Sequence, residues 1–229
     1  MSKPVCVVIG IGPKNGASFA RTFHSAGYRV AMLSRSTDRS RALAQELGEE
    51  DARAYACDAS KPEDLTRTLA DVTRELGAPA VLVYNAGSGT WRGFDETTAL
   101  ELEAAWRTNA QGLMIAAQAV LPAMRAAKSG SIVVVGATAS LRGKPKTTAF
   151  AAAKAAQRSL AQSMARQFWP EGIHVSLLIV DGSIGDVGAD QDGKRLDPDD
   201  IAAAALSLTR QPASAWSFEV DLRPQHEPW

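Results

Sequence analysis

The chain has 229 residues, 25 Lys and Arg against 25 Asp and Glu, and a hydrophobic fraction of 45%. This length suits one large domain with its own core, and the apolar fraction is too high for a disordered chain. The balanced charge gives no electrostatic footprint for nucleic acid or for an anionic membrane. No apolar run approaches the roughly 20 residues that a bilayer span needs.

The start of the chain and its cysteines indicate a cytoplasmic protein. Met1 to Pro4 lead straight into a short apolar run, without the long apolar region and cleavage site of a secretory signal. Cys6 lies in that apolar run and Cys57 lies beside an aspartate, so both are expected to be reduced thiols. The three histidines are scattered along the chain, so no metal site is predicted.

Short apolar runs alternate with longer stretches that favour helix. The predicted strands are Val5–Ile9, Val30–Leu33, Val81–Tyr84, Ile132–Val135 and Val175–Val180. Several are nearly continuous in Val, Ile and Leu, as in strands that are buried on both faces of a parallel sheet. The predicted helices are Ala17–Ala26, Arg39–Leu47, Glu63–Leu76, Leu100–Ala127 and Ala149–Trp169. This alternation predicts a single domain over residues 1–229 with a three-layer, Rossmann-type α/β fold around a doubly wound parallel sheet.

Local signals add four expectations. Ser60 is expected to be the N-cap of the third helix because proline follows at position 62. Pro122 is expected to kink or shorten the fourth helix. The stretch 183–200 has no clear period and is rich in Asp and Gly, which predicts a mobile loop that acts as a substrate lid. Phe218–Leu222 is predicted to form a last strand, followed by an arm.

The first predicted strand runs into a glycine-rich turn. Gly10, Gly12 and Gly16, with Lys14 and Asn15 between them, connect this strand to the first helix. Backbone N–H groups and the positive end of a helix dipole would face a ligand there, and glycine lets a pyrophosphate approach closely. The turn therefore predicts dinucleotide binding, and a plain structural turn is the alternative. A Walker A loop is excluded because no Gly-Lys-Ser/Thr follows.

The end of the second predicted strand bears on which dinucleotide binds. A ribose 2′-hydroxyl usually meets an acidic residue there, whereas a 2′-phosphate takes cationic partners. The chain offers Ser34 and Arg35, with no carboxylate before Asp38. Arg35 can bind a phosphate with two hydrogen bonds, and Lys14 is a second candidate cation. These residues predict NADP(H) in preference to NAD(H), unless Arg35 is only a solvated loop charge.

From the glycine turn onward, the chain resembles the short-chain dehydrogenase/reductase superfamily over roughly residues 4–185. Asp58 is similar to the family aspartate that caps the adenine. Asn85-Ala86-Gly87 is similar to the Asn-Ala-Gly motif that borders the cofactor. Asp181-Gly182-Ser183-Ile184 stands where the family usually has Pro-Gly-x-Ile, so the resemblance implies that the backbone near Ile184 binds the nicotinamide carboxamide. Aligning Gly10 and Gly16 with the family pattern places Lys14 at the middle glycine, so the turn is expected to be reshaped.

The resemblance also covers the catalytic residues, with two departures. Asn109 matches the helix asparagine of the catalytic tetrad, although a structural kink is the alternative. Lys154 matches the lysine of the Tyr-x-x-x-Lys motif and would bind the nicotinamide ribose, unless it is a solvated helix lysine. Phe150 stands at the catalytic tyrosine and Ala137 at the catalytic serine. Thr138 is a candidate substitute for a missing hydroxyl, or an ordinary polar loop residue.

These observations leave three hypotheses for function. The first is an NADP(H)-dependent oxidoreductase with a non-standard proton donor, which would be water, the substrate, Lys154 or a threonine. The second is a catalytically silent NADP(H)-binding protein that acts as a redox sensor or partner subunit. The third is a binding module that uses no cofactor. The substrate is a small molecule of unknown identity, and the resemblance implies a homodimer or homotetramer built on the small-residue helix Ala149–Trp169 and the helix around Asn109.

Overall fold

The structure, a computed structural model, describes residues 3–188 and 192–227. Its strands are β1 (Val5–Ile9), β2 (Arg29–Ser34), β3 (Ala52–Ala56), β4 (Pro79–Tyr84), β5 (Gly130–Ala137), β6 (Ile173–Val180), β7 (Ser183–Ile184), β8 (Arg195–Leu196) and β9 (Glu219–Leu222). Its helices are α1 (Asn15–Ser25), α2 (Asp38–Leu47), α3 (Pro62–Leu76), α4 (Ala99–Trp106), α5 (Gly112–Ala127), α6 (Thr148–Phe168) and α7 (Pro198–Thr209).

The centre of the described chain is a seven-stranded parallel sheet in the order β3-β2-β1-β4-β5-β6-β9. One face carries a core with α3, α5 and α6, and the other carries a core with α1, α2 and α7. The predicted three-layer, doubly wound fold is therefore confirmed. The strand order reverses between β1 and β4, and ligands of such sheets bind outside the carboxyl ends of the strands at that reversal.

The apolar runs mark the central strands well because those strands are buried on both faces. In β1 and β6 every residue is buried, which removes the alternation seen in half-exposed strands. The strand β3 was not among the predicted elements. It lies at the sheet edge, pairs only with β2 within the described chain, and is mostly half-buried, so its sequence Ala-Arg-Ala-Tyr-Ala carries little apolar signal.

One local prediction was wrong. Ser60 is not the N-cap of α3; its backbone N–H and hydroxyl both donate to Asp58 Oδ1, and Lys61 takes the N-cap position without a side-chain bond. Of the two outcomes expected at Pro122, shortening of the helix does not occur, since α5 continues through Pro122 to Ala127. The predicted helix Leu100–Ala127 is instead interrupted at Arg107–Gln111, which form a π-helical turn that separates α4 from α5. Asn109 lies in that turn.

The described parts of the stretch 183–200, residues 183–188 and 192–200, have more regular structure than expected. Ser183–Ile184 pairs with Arg195–Leu196 as a small parallel pair, and α7 begins at Pro198. Residues 189–191 of the predicted loop lie outside the described residues. The predicted last strand is present as β9, which adds to β6 in parallel.

Candidate active site

Two adjoining cavities lie at the carboxyl ends of the strands. The first has a volume of about 700 Å³ and the second about 500 Å³. Asn85 and Gly87, which follow β4, border both cavities. The cavities therefore meet where the strand order reverses, which is where a Rossmann-type sheet binds its ligand.

The glycine turn is closed by contacts with the neighbouring strands. The Gly10 N–H donates to the Leu33 carbonyl at 2.9 Å, and Asn85 Nδ2 donates to the Gly10 carbonyl at 2.7 Å. Gly10 has a φ of +99°, and a Cβ there would lie 2.6 Å from the Ala86 nitrogen. A Cβ on Gly16 would lie 2.4 Å from the Gly10 carbonyl oxygen. Both glycines are therefore needed by the fold itself.

Gly12 differs from the other two glycines. It borders the second cavity, and a Cβ built on it would meet no atom within 4 Å. The backbone at Gly12 thus presents an open face to the cavity, as a turn does when a ligand packs against it.

The second cavity contains the residues predicted for the adenosine end of a dinucleotide. Ser34, Arg35 and Asp58 border it together. Burial opposes ionisation of Asp58, but hydrogen bonds from the Ser60 N–H and hydroxyl outweigh it and lower the pKa of the carboxyl. Arg35 is exposed and makes no hydrogen bond or ion pair with another described residue. Its guanidinium is therefore available to an anionic ligand.

Lys14 faces the first cavity. Its Nζ donates to the Ile184 carbonyl at 2.6 Å and lies 3.8 Å from Asp186 Oδ1. This contact connects the glycine turn with the segment after β6. The structure does not bring Lys14 together with Arg35, since the two side chains border different cavities.

Lys154 and Asn109 meet beside Gly87. Lys154 is buried, and its Nζ donates to the Val135 carbonyl and to Gln157 Oε1, each at 2.9 Å. Asn109 Nδ2 donates to the carbonyls of Ser88 and Ala105, while its Oδ1 has no partner among the described residues. A Cβ on Gly87 would lie 3.3 Å from Asn109 Oδ1 and 3.5 Å from Lys154 Nζ.

Burial determines the acidity of Lys154. Desolvation penalises the charged form and lowers the pKa of its ammonium to about 7. This is not a solvated helix lysine, because Lys154 is only 5% exposed and both bonded groups are neutral oxygens of the protein interior. Its partner Gln157 was missed at the sequence level, although the spacing of three residues on a helix would have placed the two side chains on one face.

The first cavity has an aromatic wall where the family resemblance places a tyrosine. The Phe150 ring borders the cavity and packs against Trp91, with centroids 5.6 Å apart. Lys154 Nζ lies 5.9 Å from the centroid of the Phe150 ring. Among the residues that the structure describes, no tyrosine borders this cavity.

Ala137 and Thr138 also border the first cavity, at the end of β5. Ala137 contributes a methyl group. The Thr138 hydroxyl is buried and has no hydrogen-bond partner among the described residues. Thr138 thus offers an unused hydroxyl one position after Ala137.

The residues after β9 close another side of this cavity. Asp181, which follows β6, lies 2.5 Å from the Arg223 guanidinium and 3.7 Å from that of Arg142. Glu227 borders the cavity, and a Cβ on Gly182, whose φ is +130°, would lie 2.9 Å from Pro224. The sequence predicts an arm after the last strand but leaves open whether residues 221–224 lie over the cleft or over a neighbouring chain, because nothing in the local pattern decides between the two.

Among the described residues, no group of three or more His, Cys, Asp or Glu side chains could hold a metal ion. Within the same part of the chain, no helix has both the length and the apolar character needed to cross a bilayer.

The fold and the cavities at its strand reversal define a nucleotide-binding α/β protein of the Rossmann type. Residues 4–184 match the family model for short chain dehydrogenases, so the chain belongs to that family of oxidoreductases. This confirms the resemblance.

Known proteins match this chain over nearly its whole length. It is 31% identical to a short-chain dehydrogenase from Rhodopseudomonas palustris, with a TM-score of 0.85 over 96% of this chain and 98% of that one. It is 29% identical to a metagenomic short-chain oxidoreductase solved in complex with NADP, with a TM-score of 0.85 over 98% and 99% of the two chains. It is also 24% identical to an uncharacterized oxidoreductase of Staphylococcus aureus (strain N315), over 98% of each chain.

Proposed function

We propose that the protein is an NADP(H)-dependent oxidoreductase in which Lys154, rather than a tyrosine, supplies the proton. The observation that carries this proposal is a buried lysine at the edge of the first cavity, with a pKa of about 7 and only neutral oxygens as partners. A group with a pKa near the working pH both donates a proton and regains it efficiently.

The residues around the two cavities fit a dinucleotide. The open face at Gly12 leaves room for a pyrophosphate at the start of α1. Asn15 Oδ1 and Thr138 Oγ1 are buried polar atoms that lack a partner among the described residues, as expected for atoms that serve a ligand. When bound, NADPH supplies a hydride to the substrate.

We assign the predicted cofactor residues along the two cavities. Ser34 and Arg35 would hold the 2′-phosphate of the adenosine ribose, and Asp58 would contact the adenine. The turn residues and the Asn-Ala-Gly segment would hold the middle of the molecule, and the Gly182–Ile184 backbone would bind the carboxamide. The residues that form these groups are Gly10, Gly12, Lys14, Asn15, Gly16, Asn85, Ala86, Gly87, Gly182 and Ile184.

The geometry around Lys154 supports its role as an acid. A protonated lysine has three N–H donors, and two of them are bound to Val135 and Gln157. The third remains for a reacting atom in the cavity or for a ribose hydroxyl. In a reduction, the substrate gains a hydride at one atom of its double bond and the Lys154 proton at the other, and Lys154 regains a proton from solvent.

Two features of the cavity favour particular substrates. The unused Thr138 hydroxyl can orient a substrate oxygen or nitrogen, and the Trp91–Phe150 wall accommodates an apolar, planar group. Reduction of a polarised C=C or C=N bond needs less help from a tyrosine than reduction of a carbonyl. We therefore propose an enone or an imine as the reacting group.

A catalytically silent NADP(H)-binding protein is the second candidate. The Phe150 ring, whose centroid lies 5.9 Å from Lys154 Nζ, favours this second candidate, since phenylalanine has no proton to give. Fluorescence titration with NADPH, followed by a turnover screen over aldehydes, ketones, enones and imines, separates the two. Turnover of any of these supports the oxidoreductase. Tight NADPH binding without turnover, together with carbonyl reduction by the double variant Phe150→Tyr/Ala137→Ser, supports the silent protein. Absence of NADPH binding below about millimolar concentration contradicts both.

The preference for NADP(H) depends on Arg35. We expect Arg35→Ala to weaken NADPH binding by about 10- to 100-fold and to leave NADH binding nearly unchanged, because a charge-assisted hydrogen bond to the 2′-phosphate contributes about 1.5–3 kcal/mol. Arg41→Ala is the matched control, since Arg41 is also an exposed arginine close in sequence to Arg35 but borders a different cavity. An unchanged NADPH-to-NADH affinity ratio in Arg35→Ala would show that Arg35 does not select the cofactor.

We also propose that the chain forms a homodimer or homotetramer through α6 and the two helices on either side of Asn109, α4 and α5. Residues 183–200 are proposed to act as a substrate lid. Leu102 and Trp106 on α4 and Met114 on α5 are exposed apolar side chains, which are typical of an interaction surface. Light scattering should give the mass of at least two chains, and Trp106→Glu should shift that mass toward one chain. A wild-type mass of one chain at micromolar concentration contradicts the oligomer.

A further inference from the structure

Lys154 has an unusual partner in Gln157. Both side chains are buried on α6, with Lys154 5% and Gln157 0% exposed. Gln157 Oε1 accepts the Lys154 hydrogen bond at 2.9 Å, while Gln157 Nε2 has no partner among the described residues. A buried amide that leaves one end unsatisfied costs free energy. In this orientation, the Gln157 amide gives Lys154 an acceptor, while its own Nε2 stays without a hydrogen bond.

The other neighbours of Lys154 offer it acceptors but no free donor. An ammonium has three N–H groups that need acceptors, whereas an amine keeps two N–H groups and carries a lone pair that needs a donor. The Val135 carbonyl is an acceptor, and so is the unpartnered Asn109 Oδ1 nearby. The donor end of Asn109 is already bound to Ser88 and Ala105. Among the described contacts of Lys154, only Gln157 offers both an acceptor and an unused donor.

We infer that Gln157 is a positioning residue whose side-chain amide holds Lys154 in both its ammonium and its amine form. Toward the ammonium the amide presents Oε1, and after a half-turn about its terminal bond it presents Nε2 to the lone pair of the amine. The Lys154 nitrogen thereby keeps its place in the cavity wall when its proton has left. The catalytic value of this arrangement rests on the proposed function, but the arrangement itself does not.

No charged side chain among the described residues contributes to the low pKa of Lys154, which comes from burial alone. The charged groups that border the same cavity are Lys14 of the glycine turn, Arg142 and Lys144 before α6, Asp181 after β6, and Glu227. A change at Gln157 should therefore act on the titration of Lys154 directly.

The test is an NMR pH titration of the free protein with isotope-labelled lysine, in which Lys154→Met identifies the Lys154 signal by its loss. Gln157→Glu places a carboxylate next to Nζ and should raise the titration midpoint by at least about one pH unit. Gln157→Leu removes the acceptor and should lower it. Gln167→Glu is the matched control, because it adds the same charge on an exposed part of α6 about 15 Å further along the helix. It should leave the midpoint unchanged.

A second signal tests the reorientation of the amide. The side-chain NH₂ resonances of Gln157 should shift with the same midpoint as Lys154. The proposal is overturned if Gln157→Glu does not raise the Lys154 midpoint, if Gln157→Leu does not lower it, or if the midpoint of the amide signals differs from that of Lys154. Either variant alone decides the matter if the other fails to fold, as judged by thermal unfolding. Because no substrate or cofactor is present, these outcomes do not depend on whether the protein turns over NADPH.

Discussion

Lys154→Met should lower kcat by about two to four orders of magnitude, which is the usual contribution of a positioned acid, while the chain remains folded. Methionine matches the length of the lysine stem and removes a charge from a buried position, but it supplies no proton. The measurement is steady-state kinetics with NADPH and any substrate found in the screen, with the KM for NADPH recorded separately from kcat. Thermal unfolding establishes that the variant is folded.

The same substitution at another lysine of the first cavity provides the control. Lys144 borders this cavity on its exposed side, so Lys144→Met should keep kcat within about tenfold, less than the loss of an acid would cause. The pH dependence adds a second check. Lys154 donates only when protonated, and its pKa is about 7, so the wild-type rate should fall as the pH rises above about 7. A Lys154→Met variant that retains its rate would mean that water, Thr138 or the substrate supplies the proton.

Two glycines of the same turn should respond to alanine in opposite ways. Gly12→Ala places a methyl group in the open space of the second cavity, so NADPH affinity should fall at least about tenfold while thermal stability stays nearly unchanged. Gly16→Ala forces a Cβ to within 2.4 Å of the Gly10 carbonyl oxygen. That overlap should cost about 1–3 kcal/mol of stability, or several degrees in Tm for a chain of this size.

Calorimetric Tm values and NADPH titration on both variants check this pair. Each variant is the control for the other, because both replace a glycine of the same turn by alanine. Unchanged NADPH binding in Gly12→Ala would place the pyrophosphate elsewhere, and an unchanged Tm in Gly16→Ala would mean that the turn relaxes around the new methyl group.

The central part of the fold could be predicted from the sequence because burial on both faces produces a strong signal. Val5–Ile9 and Val175–Val180 are apolar at nearly every position, and they form strands in the structure. The edge strand β3 has no such constraint and gave no signal. A structural kink at Asn109 was one of the expectations, and the π-helical turn lies there, but the π-helical geometry itself leaves no pattern in the sequence.

The candidate site was predicted unevenly, for a similar reason. The glycine turn and the residues around Asn85 are contiguous in sequence, and the structure brings them together at the strand reversal. Contacts between segments that are far apart in the chain leave no pattern in the local sequence, so they could not be predicted. The pair of Asp181 with Arg223 and the bond from Lys14 to the Ile184 carbonyl depend on where the chain returns after β6 and β9. The hydrogen bonds of Lys154 likewise depend on how α6 packs against β5.

The wall formed by Asp181, Arg223 and Glu227 has a consequence for how this protein can diversify. The second cavity is built by residues up to Thr108, whereas most of the first cavity comes from Val135 onward and includes the chain after β9. The residues that line the two cavities therefore come largely from separate stretches of the sequence. A library of variants restricted to residues 138–147 and 223–227 should therefore change the range of substrates, while the second cavity, proposed to hold the adenosine end of the cofactor, keeps its sequence.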